Sequence, residues 1–374
     1  MNFTCDRSAL VAQLAVLSRG VSARSALPVL SGILLQVADG RLDLFATDME
    51  ISIKATLPVV SDQPGDVVVP ARLFSEVVRN LSDESVRVST ATDGGMVHLE
   101  AGKAQFSLNA WMAADFPQTS AFDLSGAFSI ARDPFVETLA KVARAASRDE
   151  TRPILTGVLV GLGAGSVKMV ATDSYRLSVK ESELEGGPEE EVQAIVPVKA
   201  LAEVARLAAT CERPTIDVAI TENQALFGFG ETIVATRLID GVFPNYRQLL
   251  PESYEHELTL DKDEVLGVAR RVGLLAQKNA PLRLKFMPAD ETNPSRLLMR
   301  AVTQDVGDAH EEVAVDYQGE VFEIGFNHAY LIDGLEAVDG ENVVLKLISP
   351  LRPGLITGAV GDFLYLIMPI RLSS

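Results

Sequence analysis

The sequence predicts an α+β fold made of three similar units, each with antiparallel sheets and two helices. A repeat is the first reason: Val69–Leu73 is echoed 127 residues later by Val196–Leu201 and, more faintly, by Ile324–Asn327. Helix-start signals recur with a similar period, and the alternation typical of strands, as in Arg41–Ala46, fills much of the sequence between them. We therefore expect three domains, at residues 1–124, 128–253 and 256–374.

Each unit is expected to begin with an amphipathic helix. Asp6 is a good N-cap for a run of leucines at helical spacing, and Asp133 precedes a proline at the first helical position. Either Asp261 or Asp263 opens the equivalent helix of the third unit. A second, shorter helix follows each repeat of the Val-Pro motif. The predicted helices cover residues 6–24, 71–80, 132–148, 198–208, 261–278 and 327–338.

Two kinds of turn are predicted between the strands. Thr47–Asp48 and Thr172–Asp173 end strand-like runs 125 residues apart, and a catalytic role is rarely duplicated in every unit. We interpret both pairs as turns whose side chains bond the local backbone. Gly161–Gly165 is rich in glycine, but no phosphate-loop lysine follows it and the next residues alternate as a strand does. A hairpin is expected there, with a nucleotide-binding enzyme as the alternative.

The composition excludes several classes of protein. Hydrophobic residues make up 47% of the chain, yet no apolar run reaches the roughly 18 residues of a membrane span. The first residues contain no apolar stretch of the signal-peptide type. With Cys5 and Cys211 alone, a reducing cytoplasmic location is expected. No histidine pair has metal-ligand spacing and no acid–base constellation stands out, so we expect no metal, no cofactor and no catalysis.

Charge is distributed unevenly along the chain. The formal net charge of −18 disfavours a sequence-reading DNA-binding protein, but the six predicted helices with their caps sum to +4. Lys141, Arg144 and Arg148 share one face of a predicted helix, and Arg271 and Lys278 share a face of another. We interpret these faces as a surface that meets a polyanion, the alternative being an ordinary solvated face.

Two segments combine arginine with apolar residues. One is Thr172–Leu177 and the other is the terminal segment Tyr365–Leu372, which is very apolar for a chain end. The terminal segment is either an edge strand that completes a sheet or one wall of an apolar groove.

A series of short motifs follows in order along the whole chain. They are Leu27–Leu30, Ala114–Pro117, Ala171–Asp173 with Arg176-Leu177, Asp240–Arg247, Glu323–Asn327 with Tyr330, and Met368–Leu372. In this order and at these spacings they resemble the bacterial sliding clamps, the beta subunits of DNA polymerase III.

The resemblance implies a DNA clamp fold in which two chains join head to tail as a closed ring lined by twelve helices. It implies a non-catalytic processivity factor that encircles duplex DNA without reading its sequence and tethers the replicative DNA polymerase. The clamp loader, repair proteins and other polymerases would dock through short linear peptides. Twelve helices about 9–10 Å apart leave a hole of roughly 26 Å, which accepts a duplex loosely. The alternative is a monomeric acidic interaction scaffold of the same fold.

The resemblance also implies site residues. DNA would meet Arg24 and Arg152 in addition to the basic helix faces, and the dimer seam would use Phe106 and Leu108 on one edge and Leu274 and Leu275 on the other. The partner-peptide groove would comprise Leu155, Thr172, Ser174, Tyr175, Arg176, Leu177, Pro244, Leu249, Asn327, Tyr330, Pro353, Met368, Pro369, Ile370, Arg371 and Leu372.

Three features depart from the family pattern. Gln248 stands where members often have a basic residue, Pro350–Pro353 forms a proline-rich loop, and Ser373–Ser374 extend the usual Arg-Leu ending. All three are expected to alter the rim of the groove.

Overall fold

The computed structural model describes residues 1–22, 26–91, 95–117, 122–163, 165–276, 280–304 and 306–372. Its contacts divide into two compact units. The first unit contains Met1–Asp133 and Lys199–Leu238, and the second contains Pro134–Val198 and Ile239–Ser374. Helices and strands are numbered below in chain order, and every strand pairing within the sheets is antiparallel.

The first unit contains helices α1 (Arg7–Leu17), α2 (Ala71–Asn80) and nearly all of α4 (Val198–Thr210). One sheet has five strands, in the spatial order β5 (Val60–Gln63), β1 (Asn2–Asp6), β7 (Ser85–Thr90), β8 (Met96–Ala101) and β9 (Ala104–Asn109). The other has eight, in the order β10 (Phe128–Ala131), β15 (Thr215–Ile220), β16 (Gln224–Phe229), β17 (Thr232–Arg237), β4 (Ile51–Pro58), β3 (Arg41–Thr47), β2 (Gly32–Ala38) and β6 (Gly65–Pro70).

The second unit contains most of α3 (Arg132–Val142), with α5 (Lys262–Gly273) and α6 (His328–Ala337). Its eight-stranded sheet has the order β14 (Val192–Pro197), β11 (Gly157–Gly163), β12 (Ser166–Thr172), β13 (Arg176–Glu183), β25 (Phe363–Ile367), β24 (Gly354–Thr357), β23 (Asn342–Leu347) and β18 (His256–Asp261). A four-stranded sheet has the order β21 (Gly307–Ala314), β20 (Arg296–Thr303), β19 (Leu282–Met287) and β22 (Phe322–Phe326).

Short 3-10 helices connect several of these elements. They are Pro28–Ser31, Ala113–Asp115, Ala143–Ala145, Pro153–Thr156 and Tyr246–Leu249. Within the described ranges, every helix is too short or too polar to span a bilayer.

The helix starts follow from local chemistry. The Asp6 carboxylate accepts a hydrogen bond from the Ala9 N–H at 2.7 Å, and the Asp261 carboxylate accepts one from the Glu264 N–H at 2.8 Å. Each satisfies a backbone donor that the first helical turn leaves unpaired. Asp261, rather than Asp263, is therefore the cap of α5. The apolar faces of these helices are buried, as the fully buried Leu10 and Ala269 illustrate.

Three predicted helices were too long. The first was expected to reach residue 24 but ends at Leu17, and the third was expected to reach residue 148 but ends at Val142. In both cases the chain leaves the helix and forms a hydrogen bond with a later 3-10 helix. The N–H of Ser22 donates to the carbonyl of Leu30, and the N–H of Ser147 donates to the carbonyl of Leu155. The α5 helix ends at Gly273 instead of residue 278.

The start of α3 was also predicted incorrectly. The helix begins at Arg132, so Asp133 lies in its first turn and does not cap it. There Asp133 accepts a hydrogen bond from Arg132 at 2.7 Å. Arg148 lies beyond the helix, so it does not share a helical face with Lys141. The charged residues of the six observed α-helices in the described chain sum to +2 without their caps; with the caps Asp6 and Asp261 included, as in the prediction, they sum to 0 instead of +4.

The glycine-rich segment is a hairpin, as expected. β11 pairs with β12 up to Gly163 opposite Ser166, and Gly165 has a φ of +84°, which favours glycine. Ala164 lies outside the described residues.

Replacing Asp261 by Ala is expected to destabilise the protein because the α5 cap is lost. The expected loss is about 1 kcal/mol of unfolding free energy, seen as a lower thermal midpoint by circular dichroism. Asp263→Ala is the matched control, because Asp263 lies in the same turn without capping it. Equal losses in both variants would contradict the assignment of the cap.

Candidate functional site

The predicted Thr-Asp turns are confirmed. The Thr172 hydroxyl accepts from the Ser174 N–H at 3.1 Å, and the Asp173 carboxylate accepts from the N–H groups of Tyr175 and Arg176 at 2.9 and 3.0 Å. The turn carries a positive φ of 79° at Ser174, matched by 78° at Met49 in the equivalent turn of the first repeat. The side-chain bonds hold this strained backbone and fix the direction in which Arg176 leaves it.

Arg176 is the centre of a buried polar network in the second unit. Its Nε donates to Asp173 at 3.1 Å and its Nη1 donates to Asp333 on α6. The guanidinium lies over the Tyr330 ring, 4.2 Å from the centroid, and Nη1 lies 3.4 Å from the Tyr365 hydroxyl. Only 10% of the Arg176 side chain is exposed. Two carboxylates and one aromatic face therefore compensate one buried cation.

The surroundings of Arg176 and Tyr365 raise the pKa of both groups. Burial by itself lowers the pKa of Arg176, but the neighbouring Tyr365, Asp333 and Asp173 raise the pKa above its usual value. Burial raises the pKa of Tyr365, so its hydroxyl stays protonated. Arg176 is therefore a permanent cation whose charge is already compensated inside the protein, and it serves to hold the adjoining wall in place.

An open cavity of about 720 Å³ adjoins this network. It is bounded by the Thr172 turn, by the segment after the Tyr246–Leu249 turn, by the loop before β24 and by the end of β25. Its lining residues are Thr172, Ser174, Arg176, Leu177, Gln248, Leu249, Leu250, Pro251, Glu252, Ser253, Glu255, Ile348, Leu351, Arg352, Pro353, Leu366 and Met368.

The cavity has an apolar floor. Leu177 on β13 and Leu366 on β25 lie opposite each other in the sheet and are buried in one cluster with Val170, Val179 and Leu355. Met368 and Leu249, 41% and 53% exposed, stand at its mouth. An apolar floor with polar groups at the rim is the usual form of a ligand or peptide pocket.

Seven of the predicted groove residues line the cavity: Thr172, Ser174, Arg176, Leu177, Leu249, Pro353 and Met368. Four other predicted groove residues, namely Tyr330, Asn327, Leu155 and Tyr175, do not line the cavity. Tyr330 supports Arg176, Asn327 caps α6, and Leu155 is buried in a 3-10 turn. Tyr175 is exposed, but its carbonyl accepts from the Met368 N–H at 2.9 Å.

The remaining predicted groove residues also lie outside this cavity. Pro244 lines a neighbouring one. In the segment Pro369–Leu372, the N–H of Ile370 donates to the Gly325 carbonyl at 2.7 Å. Leu372 packs so close to Gly325 that a β-carbon there would lie 2.5 Å from it. Arg371, between them, is exposed.

Of the cavity wall formed by residues 248–255, sequence reasoning identified only Leu249 and, at the rim, Gln248. The segment 243–254 packs onto the face of the eight-stranded sheet that carries Leu177 and Leu366. It does so through Phe243, Tyr246, Leu250 and Tyr254. Their spacing of three or four residues is a signal that this apparently irregular segment has one apolar face. Two of the expected departures do line the cavity, namely Gln248 and the loop containing Leu351. Ser373–Ser374 lie outside the described residues.

The predicted basic helix face is largely occupied by ion pairs. Lys141 contacts Glu137 at 2.9 Å and also Asp339, and Arg144 contacts Glu336 at 2.9 Å. Burial by itself lowers the pKa of Lys141, but the hydrogen bonds that its ammonium donates to the two carboxylates raise that pKa above its usual value. These cations are therefore charged but already paired within the second unit.

The other predicted DNA contacts differ in accessibility. Arg148 is exposed, Arg152 pairs with Asp149 at 3.0 Å, and Arg271 pairs with Glu311 at 2.6 Å. Arg24 and Lys278 lie outside the described residues.

The four residues predicted at the dimer seam lie on β9 and just after α5. Phe106, 41% exposed, and Leu108, which is buried, lie on β9 at the edge of the five-stranded sheet. Leu274 follows α5 with 79% of its surface exposed, and Leu275 is half-buried beside it.

The cysteines do not form a reactive centre. Burial raises the pKa of the Cys5 thiol to about 12, which keeps it protonated, and Cys211 is half-buried without a disulfide. Within the described ranges, no three His, Cys, Asp or Glu side chains converge as metal ligands would.

Three family descriptions match the chain in order. They are the N-terminal domain of the DNA polymerase III beta subunit at residues 1–120, the central domain at 129–245 and the C-terminal domain at 247–371. A beta sliding clamp from Caulobacter vibrioides is 32% identical over 379 residues, covering both chains completely. One from Staphylococcus aureus is 30% identical and covers 99% of each.

Solved structures agree with these matches. A clamp from Caulobacter crescentus, with polyethylene glycol bound to its beta-motif tethering region, has a TM-score of 0.90 and 32% identity, covering 100% of this chain and 99% of its own. The clamp from Bacillus subtilis has a TM-score of 0.92 and 28% identity, with complete coverage of both chains. The fold is that of a non-catalytic processivity clamp for DNA polymerase. The chain belongs to the DNA polymerase III beta subunit family, the bacterial beta sliding clamps.

Replacing Asp333 by Asn is expected to destabilise the protein because buried Arg176 loses one of its two carboxylates. The expected loss is about 1–3 kcal/mol of unfolding free energy, measured by urea denaturation at low salt. Glu336→Gln is the control, since that carboxylate pairs with the more exposed Arg270 and Arg144 and should cost less than about 1 kcal/mol. A larger loss in the control would contradict the central position of Arg176.

Proposed function

We propose that the 720 Å³ cavity is the site where partner proteins dock through short linear peptides. The observation that carries the proposal is its construction: an apolar floor at Leu177 and Leu366, an accessible mouth at Met368, and a wall held rigid by Arg176. Leucine or phenylalanine anchors of a peptide would displace water from the floor, while rim groups such as Gln248 would bond its backbone.

The partners we propose are the polymerase III catalytic subunit, the clamp loader, and repair and translesion polymerases. Two relatives support a ligand site in this family. One holds polyethylene glycol at a tethering region, and the clamp from Pseudomonas aeruginosa, 29% identical with a TM-score of 0.89, is bound to griselimycin. Because partners must exchange, we expect affinities near micromolar, about −8 kcal/mol.

We also propose that two chains join head to tail into a ring around duplex DNA. Each candidate seam contains an edge strand with an open hydrogen-bonding side: β9 at one end of the five-stranded sheet and β21 at one end of the four-stranded sheet. Strand edges of this kind pair readily with a second chain. Phe106 and Leu274 would then bury the apolar surface that each chain exposes.

Contacts with DNA are proposed to be few and non-specific. Arg148, with Arg24 and Lys278, would reach phosphates. The paired cations Lys141, Arg144, Arg152 and Arg271 would have to exchange their carboxylate partners for phosphate. Weak contacts suit a ring that slides, because retention depends on topology. Since its partners act on the bacterial chromosome, we place the protein in the cytoplasm.

A Met368→Lys, Leu249→Lys double variant is expected to lose peptide binding because two charges enter the mouth of the cavity. A fluorescent pentapeptide with leucine and phenylalanine anchors should bind the wild-type protein with a Kd near 1 μM by anisotropy, and at least tenfold more weakly to the variant. Leu177 is left intact because it is buried and its replacement would disturb the fold.

Val242→Lys, Val360→Lys is the matched control, since both residues are highly exposed and neither lines the cavity. Unchanged binding in the double variant, or an equal loss in the control, would refute the proposed site.

Leu274→Lys is expected to split the dimer because it places an unpaired charge in the seam. Light scattering at micromolar concentration should give twice the 40.2 kDa chain mass for the wild type and a single chain mass for the variant. Val242→Lys alone should remain dimeric. A monomeric wild type would instead favour the acidic scaffold.

A further inference from the structure

A second cavity of about 690 Å³ lies on the same sheet of the second unit. The short Tyr246–Leu249 helix separates the two: Tyr246 and Arg247 line the second cavity, while Gln248 and Leu249 line the first. Alternate residues of β12 lie on the same face of the sheet and connect the two cavities: Val170 lines the second cavity and Thr172 lines the first. Two residues of strand span about 7 Å, so one extended peptide of a few residues could occupy both.

Two glycines form part of the floor of the second cavity. Gly161 and Gly163 occupy outward positions of β11, opposite Lys168 and Ser166. Neither has a positive φ, and a β-carbon at Gly161 would meet its nearest neighbour, Glu191, at 3.5 Å, an ordinary contact. A glycine inside a strand weakens the strand and often marks the close approach of another chain. Internal packing does not require these glycines, and their effect is to leave room.

The walls of the second cavity are mainly acidic. Glu181 is paired with Lys168 at 2.7 Å, but among the described residues Glu189 and Glu191 have no basic side chain within 4.0 Å. Arg247 also lines the cavity, so its lining carries one net negative charge. The first cavity is apolar at its floor, whereas this one presents two carboxylates without a basic partner, one of which, Glu191, accepts a hydrogen bond from the Gln193 amide at 2.6 Å.

We propose that the second cavity binds an arginine- or lysine-bearing flank of a peptide whose apolar anchors occupy the first cavity. The inference rests on the proposed function of that first cavity. The anchors would supply most of the affinity, and the flank would form hydrogen bonds and ion pairs with Glu189 and Glu191. Partners with such a flank would be preferred over partners with the anchors alone.

The test compares three fluorescent peptides on the full-length protein. All carry the leucine and phenylalanine anchors; the second adds two arginines four residues from the anchors, and the third adds two glutamines at the same positions. Both N-terminal and C-terminal extensions are made. We expect arginines at one end to tighten binding about fivefold over glutamines at low salt, and the gain to disappear at 0.5 M salt.

Two variants test whether the tighter binding of the arginine peptide arises in the second cavity. Glu189→Gln, Glu191→Gln should abolish the arginine advantage by removing the carboxylates, and Gly161→Val should abolish it by filling the floor. The matched control is Glu185→Gln, Glu190→Gln, which removes the same charge from the same segment outside the cavity. Thermal midpoints within about 2 °C of the wild type would verify folding of all variants.

The outcomes separate the two proposals. If the anchor peptide does not bind the wild-type protein, the proposed function fails and this inference fails with it. If the anchor peptide binds but arginines add nothing, or the gain survives in Glu189→Gln, Glu191→Gln, this inference alone is overturned.

Discussion

The pairing of β13 with β25 is the constraint on which the site depends. β13 ends at Glu183 and β25 begins only at Phe363, yet the two strands pair with Arg176 opposite Ile367 and Leu177 opposite Leu366. The pairing makes one eight-stranded sheet and aligns two leucines as the floor of the cavity. It also brings the Thr172 turn beside the end of β25, where the Tyr175 carbonyl accepts from Met368.

The Arg176 network makes this arrangement specific. A buried guanidinium is costly unless its donors are met, and here Asp173, Asp333 and the Tyr330 face meet them together. Asp173 is fixed by its own turn and Asp333 by α6, so the guanidinium has one favourable position. A pocket with a fixed wall loses less binding free energy to its own ordering, which would favour the proposed binding of a short peptide.

Electrostatics explains how an acidic chain can work on DNA. Carboxylates of α6 and of the residues just after it are paired with Arg144, Lys141 and Arg270, which keeps the helices only slightly basic. A strongly basic lining would bind phosphates tightly and oppose sliding. Most of the negative charge of the chain lies outside the helices. The segment 181–191, part of which lines the second cavity, carries six glutamates. Basic segments of partners would therefore be attracted to the region around residues 181–191 more than to the helices.

Much of the architecture could be predicted from the sequence because it repeats. The three sequence repeats, the caps of α1 and α5 and the Thr-Asp turns depend on local patterns that recur about 125 residues apart. Helix ends were less predictable, because α1 and α3 stop where Ser22 and Ser147 form hydrogen bonds with residues further along the chain. The terminal segment was open to an edge-strand interpretation, but β25 lies inside its sheet between β13 and β24.

The predicted residues that line the cavity come from the family resemblance. Arg176 and Met368 belong to the recognised motifs, and Leu249 and Pro353 were expected as groove residues, whereas Asp333 contributes through tertiary placement that no local pattern encodes. Phe243, Tyr246 and Leu250 could have been recognised from their spacing.

Amide hydrogen exchange of the full-length protein, with and without a saturating anchor peptide, tests the central claim most directly. The account predicts slower exchange in three separate segments: residues 172–177, 248–255 and 348–353. These are distant in sequence and meet only around the proposed cavity. Protection confined to segments that do not line it, with these three unchanged, would contradict the account.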